Sequence, residues 1–190
     1  MKTTAIGMLW LLAQPSLAIG ATPVTPGNPV PGAESTILGL PIAFEPNQGQ
    51  SDPSVKFLAH DLSGAGPTLL LTADSAIFQA GGNRDSAIRM KIVGAREAIV
   101  SGADPLSGRA NYFIGNVPNK WITGAPTYRR VVYGQIYSGV DLFFYGSQRQ
   151  LEYDFVVAPG AGTDQIALEF REPGHGWTRK AIWKSGPGAG

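Results

Sequence analysis

The side chains best arranged for chemistry lie on one hairpin late in the chain. Val140-Asp141-Leu142-Phe143-Phe144-Tyr145 and Gln150-Leu151-Glu152-Tyr153-Asp154-Phe155 flank Gly146-Ser147-Gln148-Arg149. Strand alternation puts Val140, Leu142, Phe144, Leu151, Tyr153 and Phe155 on one face, and Asp141, Phe143, Tyr145, Glu152 and Asp154 on the other. A four-residue loop sets Tyr145 against Gln150, Phe143 against Glu152 and Asp141 against Asp154. Carboxylates opposed across a ladder repel, so this register calls for a compensating group. The least demanding answer is a salt bridge from Arg129, Arg130 or Arg149, or a solvated face. A second is calcium, a hard cation that takes oxygen ligands, here from Asp141, Glu152 and Asp154. A third is acid/base hydrolysis of a glycan, which needs a pocket that raises one carboxyl pKa. The sequence shows no such pocket, so no catalytic residue is assigned and no cofactor is expected beyond the calcium alternative.

Other chemistry has less support. His60 and His175 stand apart from any metal-ligand spacing, and His60-Asp61 reads as a surface loop edge. The chain has no cysteine, which excludes disulfides, thiol nucleophiles and cysteine-based metal sites. It has no Gly-x-Ser-x-Gly elbow. Gly64-Ala65-Gly66 and Gly81-Gly82-Asn83 lack the Lys-Ser/Thr of a phosphate loop and match turns. Residues 112–153 are rich in aromatics, which form a core or, alternatively, a glycan-stacking platform with Trp121 and Tyr128 as the binding rings.

Lys and Arg total 15 and Asp and Glu total 14. That balance argues against a nucleic-acid partner and against strong attraction to an anionic membrane.

The elements that must position these residues are strands. Gly 25 and Pro 15 favour turns over long helices. The run Ala87-Ile88-Arg89-Met90-Lys91-Ile92-Val93 alternates cleanly, with Ile88, Met90 and Ile92 on one face. Further strands are expected at 55–59, 68–72, 75–79, 98–101, 109–114, 130–133, 140–145, 151–157 and 165–170. Their spacing predicts an all-β, sandwich-like domain over 37–170. Phe44-Glu45-Pro46-Asn47-Gln48-Gly49-Gln50 reads as a polar turn packed on the sheet end, whose amides can satisfy backbone groups of neighbouring loops, or alternatively as a recognition loop.

Before the domain, Lys2, the apolar run from Ala5 to Ala13 and the small residues Ser16 and Ala18 read as a signal peptide over 1–18. The run is too short to span a membrane, so no membrane span is expected once the signal is removed. Residues 19–36, with Pro23, Pro26, Pro29 and Pro31, read as a linker.

Several segments together resemble a known family. They are Leu40-Pro41-Ile42-Ala43-Phe44-Glu45-Pro46-Asn47-Gln48-Gly49-Gln50, Asn111-Tyr112-Phe113-Ile114-Gly115-Asn116, Lys120-Trp121 and Pro126-Thr127-Tyr128. Val55-Lys56-Phe57-Leu58, Ile136-Tyr137-Ser138-Gly139-Val140-Asp141-Leu142, Phe144-Tyr145-Gly146 and the stretch from Arg149 to Ala161 complete the set. The chain resembles the N-terminal domain of secreted bacterial proteins that carry β-propeller (SBBP) repeats downstream. The resemblance implies a secreted, periplasmic or cell-surface location and a β-rich accessory domain, and it carries no catalytic residues. The partners it implies are the downstream propeller repeats, with a surface glycan or protein as further partners. The segment 171–190 departs from the pattern and reads as an irregular tail, truncated or altered in frame. The expected function is therefore a non-catalytic accessory and interaction domain. The alternatives are a carbohydrate-binding module and, last, a glycan-acting hydrolase.

Overall fold

Short apolar runs broken by Gly and Pro fold here as strands. The computed structural model describes residues 3–7, 42–60, 67–79, 87–147 and 150–182, and these are all-β. The strands in chain order are β1 (Thr3–Gly7), β2 (Phe44–Pro46), β3 (Phe57–His60), β4 (Pro67–Leu71), β5 (Ser75–Phe78) and β6 (Ile88–Val93). They continue as β7 (Ile99–Tyr112), β8 (Ile122–Tyr137), β9 (Val140–Ser147), β10 (Gln150–Val157), β11 (Ala167–Arg171) and β12 (Trp177–Ile182). One turn of 3₁₀ helix, Pro118–Lys120, joins β7 to β8.

All twelve strands belong to one antiparallel sheet, in the order β1-β10-β9-β8-β2-β3-β4-β5-β6-β11-β12, with β7 laid along β8. β8 is the spine. Tyr133 pairs with Val100 of β7 and with Leu142 of β9, so β7 and β9 take opposite edges. Tyr128 pairs with Pro105 of β7 and with Phe44 of β2, so β2 continues the edge that β9 began. The sheet curls around a single core, to which β2–β6, β8–β10 and β11 all contribute, with Phe44, Leu71, Met90, Tyr133, Leu142 and Phe144 fully enclosed. The domain is all-β, as expected, and its continuous pairing makes it a curled antiparallel sheet.

Two tyrosines tie the curl together across the interior. The Tyr133 hydroxyl donates to the Thr72 carbonyl at 2.7 Å. The Tyr137 hydroxyl donates to the Val93 carbonyl at 2.8 Å. Burial pushes both phenols above their ordinary pKa, so they remain donors.

The expected hairpin forms with both faces as read, but its register differs by two residues. Ser147 pairs with Gln150, Phe144 with Tyr153 and Leu142 with Phe155. Asp141 therefore opposes Val156, and Asp154 opposes Phe143. A shift of two preserves every face because side chains alternate with period two. It also relieves the like-charge opposition that the four-residue loop would impose. Residues 148–149, and with them Arg149, lie outside the described residues.

Other boundaries move too. The expected strands at 98–101 and 109–114 are one strand, β7, with register shifts between Pro105 and Arg109 and between Ala110 and Tyr112. The first three residues of the expected polar turn form β2. The segment read as an irregular tail contains β12, paired with β11. Within the segment read as a signal, Thr3–Gly7 pairs with β10. Residues 8–41, which hold the rest of that segment and the proline-rich stretch, lie outside the described residues.

Candidate functional site

The carboxylates of the β9–β10 hairpin fall into two groups, Asp141 by itself and Glu152 with Asp154 around the Tyr145 hydroxyl. Asp141 Oδ1 accepts the Gln135 backbone N–H at 2.8 Å and the Gln135 side-chain amide at 3.4 Å. Gln135 has φ of 54° and sits where the β8–β9 register shifts. Asp141 thus braces a left-handed bulge residue, a conformation that costs a side-chain-bearing residue free energy. Asp154 Oδ2 accepts the Tyr145 hydroxyl at 3.0 Å, while its buried Oδ1 has no hydrogen-bond partner. Burial pushes the Asp154 carboxyl above its ordinary value; the Tyr145 hydrogen bond opposes this and the Glu152 charge adds to it.

Of the expected arginines, Arg130 bonds Asp104 at 2.6 Å and lies 5.8 Å from the Phe143 ring centroid, and Arg129 is exposed. Among the described residues, no group of three or more His, Asp or Glu is placed to hold a metal ion.

A second polar cluster forms between strands far apart in sequence. Glu45 of β2 is buried, and its Oε2 accepts the Tyr112 hydroxyl from the end of β7. His60, at the end of β3, places Nε2 at 2.8 Å from the same hydroxyl oxygen. With the phenol proton committed to Glu45, His60 Nε2 must carry the donated hydrogen. Burial raises the Tyr112 pKa above its ordinary value, and the bond and charge of Glu45 raise it further. The phenol therefore stays protonated at neutral pH. Its role is to clasp β7 to β2 and β3. His60, expected at a surface loop edge, is half-buried in this clasp.

The loop after β2 is satisfied from within. The Asn47 amide nitrogen donates to the Asp52 and Val55 carbonyls at 2.8 and 3.0 Å. Its oxygen accepts the Gly49 and Ser51 N–H groups, each at 3.1 Å. Gln50 donates to the Pro46 carbonyl at 2.9 Å. The amides brace their own loop, where the sequence reading expected them to serve neighbouring loops.

Beyond the clasp, the β7–β8 hairpin presents an apolar tip. Phe113, Ile114, Val117 and Trp121 are 64%, 63%, 50% and 38% exposed, and they are four of the five most exposed large apolar side chains among the described residues. The tip is ordered from within. Phe113 and Trp121 meet edge to face at 5.2 Å between centroids. Trp121 Nε1 donates to the Gly115 carbonyl at 3.1 Å, and Asn111 Oδ1 accepts the Gly124 N–H at 2.8 Å.

The two expected binding rings are not brought together. Trp121 lies at this tip. Tyr128 is half-buried further along β8, edge-on to Phe57 at 6.1 Å, with its ring over Gly102 of β7. A Cβ at Gly102 would fall 2.4 Å from that ring, so glycine is what lets the ring lie there.

Sequence reasoning missed the clasp because Glu45, His60 and Tyr112 share no local pattern. It noticed the aromatics of the tip but not their company. From Pro105 to Val140 every charged residue is a cation: Arg109, Lys120, Arg129 and Arg130. That one-signed strip around an apolar loop was the available signal.

No curated protein and no solved structure matches the chain. One family model does match, over residues 44–175, a span that holds the clasp, the tip and the carboxylate hairpin, and on that match the chain belongs to the family described as a domain of unknown function, DUF7948.

Proposed function

We propose that the chain is a non-catalytic accessory and interaction domain of an exported bacterial protein that carries β-propeller repeats, and that it meets its partner with the tip of the β7–β8 hairpin. The observation that carries this reading is the grouping of four exposed apolar side chains at one tip, where the fifth large exposed apolar residue among the described ones, Ile99, stands alone. Exposed clusters of this kind mark interaction sites. Phe113, Ile114 and Trp121 of the tip, and Glu45 and Tyr112 of the clasp, fall within the segments that resemble SBBP-repeat proteins. The carboxylates support a structural role, since Asp141 braces a bulge and Asp154 bonds Tyr145.

The test is cosedimentation of the purified chain with envelope fragments of its host. Wild type is expected to pellet with them. The pair Phe113→Ser with Trp121→Ser is expected to pellet at least roughly tenfold less while keeping the wild-type circular dichroism, because exposed substitutions leave stability within about 0.5 kcal/mol. A tip variant that binds like wild type overturns the reading. So does a saturable hydrolytic activity that Glu152→Gln or Asp154→Asn abolishes.

A further inference from the structure

The partner class follows from what the tip combines. Resting on the interaction reading above, we propose that the β7–β8 tip docks on an anionic lipid surface, with Phe113, Ile114 and Trp121 entering the interfacial zone and Arg109 and Lys120 meeting the headgroups.

Three observations carry this. First, the charge is complementary. From Pro105 to Val140 the chain holds four cations and no carboxylate. Arg109 and Lys120 are exposed, and Arg130 is answered by Asp104. The overall charge of +1 conceals this strip. A surface potential decays within a Debye length, about 8 Å at physiological salt, so a lipid surface meets the tip and not the whole molecule.

Second, the tip projects. β7 and β8 pair out to Tyr112↔Ile122, and Pro118–Lys120 closes the end. An exposed apolar loop at a hairpin end suits a soft phase, where aromatic rings favour the headgroup level.

Third, two of the polar handles beside the rings are already used. The single donor of Trp121 is held by the Gly115 carbonyl and the Asn111 oxygen by Gly124. Sugar recognition needs such groups free, whereas lipid docking does not.

The molecule supplies its own control. Ile99 is the most exposed large apolar residue, at 80%, but it starts β7 while Tyr112 ends it. Thirteen residue steps at about 3.3 Å put Ile99 roughly 40 Å from the tip.

The experiment is cosedimentation with protein-free vesicles, of phosphatidylethanolamine with phosphatidylglycerol in one arm and of phosphatidylcholine in the other. Every variant carries the same N-terminus, so the apolar run near Leu9 contributes equally throughout. Wild type is expected to bind the anionic vesicles and to be released by salt. Lys120→Gln is expected to weaken binding roughly fivefold, which is about 1 kcal/mol per basic residue at the surface. Phe113→Ser with Trp121→Ser is expected to weaken it more than roughly tenfold, and Ile99→Ser to leave it unchanged. Absence of binding to anionic vesicles overturns the proposal, as does binding indifferent to the tip pair or equally sensitive to Ile99→Ser. If host envelopes still bind through the tip while vesicles do not, the partner is an envelope protein or glycan; the lipid proposal then falls and the interaction reading stands. If neither binds, both fall.

Discussion

The β9–β10 and β7–β8 hairpins hang on the same spine strand and obey different rules. In β9–β10 one face lies on the core: Leu142, Phe144, Tyr153 and Phe155 are buried, while Phe143, Tyr145, Glu152 and Asp154 are only partly covered. In β7 no residue is buried, and β8 passes from exposed at its start to enclosed at Ile136 and Tyr137. A buried face forces alternation on a sequence. A strand that touches the core only at its start, through half-buried Val100, is held mainly by its ladder and by a few side-chain ties, here the Tyr112 clasp and the seating of Tyr128 over Gly102. Freed from the core, it can display what the core would otherwise claim.

The sharpest test of this contrast is truncation in each hairpin. Phe144 is fully enclosed, with ring centroids at 5.7 Å from Tyr133 and 6.1 Å from Tyr153. Phe144→Ala is expected to cost about 3–5 kcal/mol in urea unfolding. A cost of similar size from the tip pair of serine substitutions would erase the distinction between the two hairpins.

A smaller effect probes how β7 is held. Gly102→Ala forces a methyl into the Tyr128 ring and is expected to cost about 1–3 kcal/mol. Combining it with Tyr128→Ala removes the clash, so the double variant should be more stable than the two single losses added together. Strict additivity would mean that the ring is not what Gly102 accommodates.

The smallest effect lies on the carboxylate face and depends on pH. The folded-state pKa of Asp154 is raised above its ordinary 3.8, so ionisation of this group disfavours the folded form. Its contribution to stability is fully present below pH 3.8 and is lost as pH rises through the folded value. Asp154→Asn is therefore expected to be more stable than wild type at neutral pH, with the difference closing as the medium becomes acidic. Melting temperatures measured across that range check the sign. A difference that grows toward acid would contradict it.

Where the core touches a strand, the sequence was legible. Ile88, Met90 and Ile92 alternate with Arg89 and Lys91, and β6 lies as read, with Met90 and Ile92 enclosed. The faces of β9 and β10 were also legible, while their register was not. Gly146-Ser147-Gln148-Arg149 accepts a four-residue or a two-residue connection, and both give the same faces. The fold-wide pairings were hidden for another reason. Phe44↔Tyr128 and Val93↔Ala167 join segments whose own residues say nothing of each other. The clasp inherits that silence, because Glu45, His60 and Tyr112 become neighbours only once β2 has found β8. The tip residues were visible one by one. Their grouping depends on how far the hairpin extends past the clasp, which no local pattern records.

The order of strands along the sheet also has a consequence in time. β6 has β5 on one side, close in the chain, but its other edge waits for β11 through pairs such as Val93↔Ala167 and Met90↔Phe170. During synthesis the β3–β6 meander can pair locally while β6 keeps an open ladder until the chain has grown past Arg171. Closing so long a loop before its contacts reward it is slow, and an open strand edge invites pairing with other chains. The last-made strand of the core thus also ends the interval in which the domain is most prone to aggregate.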